Sequence, residues 1–296
     1  MLTSNAIVMM LGMMGAIGFG TGDFFAAKAC KGLGPLAAAL CVNVIGLVLI
    51  VPWYVLCIHA VPALTAAGLF YLVSASILIV VGLLCMYKAF EIGPVSLVSP
   101  LGALYPLATT LISVFVFGAG LTATQLSGIA LVIFGVTVAA GVLQSERGER
   151  RFGRGPVFAL LASLLWGIGY SLLNKAIEAM GWPLATLFQV AVMTLVLWIT
   201  TWMNRGCKNL TAAAFAAAMR NRYVIGAGIM QLAAMFAINI ALTRDSTMGA
   251  VATAATASYP AITVFLAIRY FREQVKFVPL AGAFVGLAGV VLLSVG

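Results

Sequence analysis

Residues 32–87 read GLGPLAAALCVNVIGLVLIVPWYVLCIHAVPALTAAGLFYLVSASILIVVGLLCMY, 56 positions without one Asp, Glu, Lys or Arg. A helix that crosses a bilayer needs about 20 apolar residues. The stretch is long enough for two such spans, with a break around His59 and Pro62. Outward from it, residues 1–22 hold one span, and residues 92–145, another 54 uncharged positions, hold two that break at Gly118-Ala119-Gly120. The windows 155–174, 179–204, 223–243, 246–268 and 277–296 hold one each, so ten spans are expected. The runs are continuously apolar, without the alternation of barrel strands, which predicts an all-α integral membrane protein.

The whole chain agrees with that reading. Its 296 residues are 64% hydrophobic and 8% charged, against about 25% charged in a soluble domain. A soluble chain of this size needs a polar shell, so an ordinary cytosolic enzyme, a disordered chain and a secreted disulfide scaffold are excluded. Residues 1–22 lack a basic leading region, and further spans follow at once, so they are expected to remain as the first span rather than be cleaved. Cys30, Cys41, Cys57, Cys85 and Cys207 are scattered and form no CxxC pair, and they read as small buried apolar groups.

The net charge of +9 acquires a meaning once the loops are sorted. The connections between spans 1–2, 3–4, 5–6, 7–8 and 9–10 carry 14 of the 16 Lys and Arg residues. The opposite side keeps only Lys175 and Arg244. The excess is a bias between two membrane faces, not a nucleic-acid surface. The positive-inside rule puts the rich face in the cytoplasm and both termini on the other side of a cell inner (plasma) membrane. The segment Asn209–Met219 between its basic flanks reads equally as a short interfacial helix or a plain loop.

The chain also repeats. A shift of 154 residues aligns Tyr105-Pro106 with Tyr259-Pro260, Thr109 with Thr263, Gly128 with Gly282 and Gly135 with Gly289, among nine identities over residues 99–141. A shift of 147 aligns Gly20, Gly22 and Lys28 with Gly167, Gly169 and Lys175. The expected organisation is one five-helix repeat at 1–143, a polar Arg-rich linker at 144–154 and a second five-helix repeat at 155–296. Five is odd, so the repeats must be inverted, a plan used by secondary transporters with a substrate site near the midplane.

Several motifs then resemble the drug/metabolite transporter superfamily, in its ten-helix EamA type. They are Trp166-Gly167 with Asn174-Lys175, the partner Phe19-Gly20 with Lys28, Ala89-Phe90-Glu91-Ile92-Gly93-Pro94, Phe271-Arg272-Glu273-Gln274-Val275, and the paired glycines of spans 5 and 10. The first half departs from the pattern, with Gly118-Ala119-Gly120 where the family keeps a Glu. The resemblance implies a secondary active transporter that exports amino acids or related small metabolites. An importer or an organic-cation carrier of the same fold is the alternative, and a membrane-embedded enzyme or a channel is a more distant one.

Asp23 is the one acid in the first 90 residues and lies inside span 1. An intramembrane acid is a functional candidate by default, here for an amino group or a coupling proton. The plainer reading is neutralisation by Lys28 or Lys31 near the interface. The shift of 147 pairs Phe19 with Trp166 and Asp23 with Tyr170, so Phe19/Asp23 and Trp166/Tyr170/Asn174 form i, i+4 stripes suited to stacking and cation–π contact. Packing or an interfacial belt is the rival reading.

Tyr105 and Tyr259 precede the paired prolines and are candidates to line a cavity. Each proline, read inside a helix, frees a carbonyl, at Gly102 and Thr256. Among the isolated amides Asn43, Gln189, Gln231 and Asn239, Asn239 is the first choice for the cavity. The pairs Lys88/Glu91, Lys175/Glu178 and Arg269/Glu273 read as structural, and Gly128, Gly135, Gly282 and Gly289 as helix packing or a dimer contact. No nucleotide-binding loop is present, and His59 is the only histidine, so no catalytic residue, metal or cofactor is expected. The expected partners are a small-molecule substrate, the lipid bilayer and a coupling proton, in a monomer or homodimer.

Overall fold

A computed structural model of the chain describes residues 4–57, 65–115, 122–139, 153–203, 211–244, 256, 258–273 and 277–295. The helices are α1 (Ser4–Leu33), α2 (Pro35–Cys57), α3 (Ala66–Ile92), α4 (Val95–Gly102), α5 (Tyr105–Phe115) and α6 (Ala123–Ala139). The second half holds α7 (Arg154–Met180), α8 (Trp182–Met203), α9 (Ala212–Met219), α10 (Arg222–Arg244), α11 (Tyr259–Leu266) and α12 (Phe277–Val295). A π-helical turn, Ala267–Phe271, extends α11. Among the described residues seven stretches are long and apolar enough to cross a membrane, and Ala123–Gly135, Tyr259–Phe271 and Leu280–Leu292 are shorter apolar helices at the places expected for spans 5, 9 and 10.

Two sequence expectations change here. The fourth span is not one helix, because the α-helical ladder breaks at Ala103-Leu104 and restarts at Tyr105. Pro106 and Pro260 therefore stand at the second position of α5 and α11. A proline there sacrifices no helix bond, since the first-turn donors have no partner within the helix. The prolines start helices instead of interrupting them. Residues 212–219 are helical, with the Thr211 hydroxyl accepting from Ala214 N at 3.2 Å as an N-cap. The proposed breaks at His59 and at Gly118–Gly120, and the linker up to residue 152, lie outside the described residues.

The helix pairs respect an exchange of halves. α3 packs along α7, and α1 along α10; α2 meets α8, and α6 meets α12. Swapping the halves converts the first pair into the second and leaves the other two unchanged. α6 and α12, aligned by the shift of 154 residues, run in opposite directions. A Cβ on Gly135 would meet Gly282 O at 2.6 Å and Gly286 N at 2.3 Å, and one on Gly289 would meet Gly128 O at 2.6 Å and Val132 N at 2.7 Å. As one helix rises the other falls, so these repeat-related helices are antiparallel. Large apolar side chains such as Val55, Phe70, Trp198 and Phe265 point outward, as a lipid solvent allows.

The space at α6–α12 predicts a stability difference. Gly135→Ala forces a methyl into backbone atoms that cannot move aside and should destabilise by about 1–3 kcal/mol. Gly46→Ala, whose Cβ would meet only Val190 Cγ1 at 3.8 Å, should be neutral or slightly stabilising, because alanine favours a helix. Thermal unfolding of the detergent-purified variants compares the two; equal melting temperatures would contradict the contact.

Candidate functional site

The two halves pinch together at two glycines. On α1, a Cβ on Gly20 would lie 2.7 Å from Tyr259 O and 2.7 Å from Ile262 Cβ. On α7, a Cβ on Gly167 would lie 2.8 Å from Tyr105 O and 2.4 Å from Ala108 Cβ. Each pinch is bridged by a hydroxyl: Thr263 Oγ1 donates to Gly20 O at 3.0 Å, and Thr109 Oγ1 is shared between Gly167 O at 3.3 Å and Tyr105 O at 3.2 Å. The two contacts map on each other under the shifts of 147 and 154 residues. They fix Phe19 and Trp166, one residue before the glycines, and Asp23 and Tyr170, three residues after.

These side chains line a cavity of about 130 Å³ between the halves. Phe19 and Asp23 come from α1, Trp166 and Tyr170 from α7, and Tyr105 and Tyr259 from the first residues of α5 and α11. Two ring contacts cross between the halves, Phe19–Tyr259 with centroids 6.0 Å apart and Tyr105–Tyr170 at 5.1 Å. The Trp166 indole N–H donates to Ile79 O at 3.1 Å, which ties α7 to α3 and sets the ring's orientation. Asp23 Oδ2 accepts from the buried Ser99 Oγ at 3.1 Å. Asn43, Gln189 and Gln231 add amides to the wall, Met86, Met193 and Met235 add polarisable apolar surface, and no Lys, Arg or His of the described residues takes part.

Six of the eight sequence candidates thus converge on one space. Asn174 does not. It is exposed one turn beyond Tyr170, on a stretch of α7 that has passed the cavity. Asn239 does not either, because its Nδ2 donates to Thr186 Oγ1 at 3.1 Å and joins α10 to α8. The cavity instead takes Gln189 and Gln231, whose side chains look no different in sequence from a helix-joining amide. In the sequence Ser99 falls at helical spacing with the small and hydroxyl residues Gly102, Thr109 and Ser113 of span 4, and nothing singles it out among them.

The local charges also rearrange. Neither Lys28 nor Lys31 forms an ion pair with Asp23 among the described residues. Lys28 Nζ stands 5.3 Å from the Phe271 ring centre and 6.0 Å from that of Tyr223, and Lys31 Nζ lies 3.7 Å from Glu273 Oε1. Glu273 is therefore not the partner of Arg269; its carboxylate accepts from Val95 N and Ser96 N at the start of α4. Lys88 pairs with Glu91, and Lys175 with Glu178 at 2.8 Å. Gly128, Gly135, Gly282 and Gly289 meet across α6–α12, away from the cavity.

Residues 6–141 and 153–295 each match the model of the EamA-like transporter family. An uncharacterized protein of Methanocaldococcus jannaschii is 32% identical over 130 residues, 43% of this chain and 90% of that protein. An uncharacterized transporter of Archaeoglobus fulgidus is 23% identical over 226 residues, 76% of each chain. One solved crystal structure superposes with a TM-score of 0.63 over 97% of each chain at 13% identity, a likeness of fold.

The placement of Asn239 separates stability from binding. Asn239→Leu should cost on the order of 0.6 kcal/mol, the typical worth of an interhelical hydrogen bond in a membrane. It should leave the affinity of any cavity ligand within twofold of the parent. A ligand affinity that falls tenfold in this variant would put Asn239 in the site.

Proposed function

Since the chain belongs to the EamA-like transporter family, we propose that it is a secondary carrier of small amines, including amino-acid-like metabolites, working by alternating access between its inverted halves. The observation that carries the reading is the composition of the cavity wall. One carboxylate, Asp23, stands among Phe19, Tyr105, Trp166, Tyr170 and Tyr259, with no cationic side chain of the described residues in the wall. A desolvated ammonium gains from both an ion pair and ring faces. The carboxylate of a free amino acid would find amides and hydroxyls but no counter-charge, so the wall favours an amine over a zwitterion. The remaining titratable groups of the wall are tyrosines, which carry no charge at neutral pH. Asp23 is then the one group able to hold either a proton or the cargo's charge, which makes exchange of the two the coupling step.

The inverted arrangement supplies the movement. Each half can take the conformation of the other, which moves the opening from one face to the opposite one while the cavity stays near the midplane. In the cell we place the chain in the plasma membrane, with the Lys- and Arg-rich face in the cytoplasm and both termini outside. Export is the direction implied by the resemblance.

A thermal-shift screen of purified protein against tetramethylammonium, primary amines and free amino acids tests the reading. A binding amine at 100 times its Kd should raise the melting temperature by on the order of 5 °C. Asp23→Asn should weaken that amine at least tenfold. Lowering the pH should weaken tetramethylammonium in the parent, because the proton competes for the same carboxylate, and should have no such effect in Asp23→Asn. In proteoliposomes the same variant should lose proton-driven flux. Amine binding or proton-driven flux that survives intact in Asp23→Asn would refute the assignment.

A further inference from the structure

Glu273 occupies a place that loop acids rarely reach. The π-helical turn Ala267–Phe271 ends at Arg272, whose φ of 54° turns the chain back on itself. The next residue, Glu273, is aimed at the first turn of α4. Its Oε1 accepts from Val95 N at 3.0 Å, and its Oε2 accepts from Ser96 N at 3.0 Å and Ser96 Oγ at 2.7 Å. Helix donors at an N-terminus have no partner within the helix, and α4 opens at Pro94 without a side-chain cap of its own. The carboxylate satisfies two of those donors and sits at the positive end of the helix dipole. Lys31 Nζ, 3.7 Å from Oε1, balances its charge.

One turn along the same short helix, Ser99 Oγ donates to Asp23 Oδ2 at 3.1 Å. Ser96 and Ser99 are three residues apart, share a helix face and are both wholly buried. Asp23 and Lys31 both belong to α1. The α4 segment is thus fastened to α1 at two points, through Glu273 and Lys31 at the Lys- and Arg-rich face and through Ser99 and Asp23 at the cavity.

We propose that α4 is the gate of the Lys- and Arg-rich face, that Glu273 is its latch, and that Ser99 is the positioning residue that transmits the state of Asp23 to that latch. This rests on the reading of Asp23 as the cargo group. With no cargo bound, the Asp23 carboxyl group accepts from Ser99, so α4 stays seated under its carboxylate cap. An ammonium that engages the carboxylate competes with the Ser99 hydroxyl, frees one of the two fastenings and lets the first turn of α4 leave Glu273. The shift of 154 residues places Ala119 where Glu273 stands, so the repeat supplies this carboxylate once and not twice.

Cys30 provides a built-in reporter. It neighbours Lys31 on α1 and is 1% exposed. The full chain, with Cys41, Cys57, Cys85 and Cys207 changed to Ala, is placed in nanodiscs and treated with a membrane-impermeant maleimide. Glu273→Gln should raise the labelling rate of Cys30 at least tenfold. Ser96→Ala, a milder change that removes only the side-chain donor, should raise it about threefold. Asp23→Ala and Ser99→Ala should each accelerate labelling, and the double variant should match the faster single one, because both remove one shared bond. Parent-like labelling in both Glu273→Gln and Ser96→Ala overturns the latch. Rates that multiply in the double variant overturn the coupling through Ser99. No arm uses cargo, so a failure here is distinct from a failure of amine binding at Asp23.

Discussion

A threonine hydroxyl reaching across to a glycine carbonyl, made once at Gly20 and once at Gly167, sets the distance between the halves. Lipid tails are as apolar as leucine, so helices in a bilayer gain little by hiding apolar surface from it. Close packing and interhelical hydrogen bonds hold them together instead. With no side chain at positions 20 and 167, the backbones come near enough for the bond to form. The flanking residues then have no choice of direction. Phe19 and Trp166, and Asp23 and Tyr170, are held at the edges of the pinch and face the same space from opposite halves. The aromatic wall is a consequence of the contact, not an addition to it.

The acid in that wall is tolerable because its surroundings are not lipid. Asp23 has a hydroxyl partner, Ser99, and shares the cavity with the amides of Asn43, Gln189 and Gln231. The lysines that sequence offered as its neutralisers lie over aromatic rings and beside Glu273. Among the described residues no Lys or Arg pairs with the Asp23 carboxylate. On the proposed reading, an ammonium entering the cavity would supply the missing counter-charge.

Much of the fold is legible in the sequence, because its solvent imposes a length and a composition on every span. The absence of charge over residues 32–87 already predicts helices, and the paired Tyr-Pro and Gly positions predict a duplication. The candidate site is legible to the extent that it obeys the repeat: Phe19 with Trp166, Asp23 with Tyr170, Tyr105 with Tyr259. What fails is what depends on rotation about a helix axis or on a neighbour far away in sequence. Asn174 keeps the i, i+4 spacing but lies past the cavity. Gln189 and Asn239 differ only in which helix faces them, and that is decided by packing. Glu273 is four residues from Arg269, yet its partners are 177 and 178 residues away. The left-handed conformation of Arg272 that directs it there has no signature in a non-glycine residue.

A duplicated carrier with one carboxylate cap has unequal ends. Detailed balance forbids such an inequality from deciding on which side solute accumulates, since gradients alone do that. It decides how waiting time is divided. A molecule that rests with its Lys- and Arg-rich face shut offers the empty cavity mainly to the opposite face, and the apparent dissociation constant on each side is the intrinsic one divided by the fraction of molecules open there. On the proposed latch, one acid at position 273, aligned in sequence with an alanine at 119 of the other repeat, would give the two faces different half-saturation concentrations. In that scheme the duplication would supply the movement, and its imperfection the polarity.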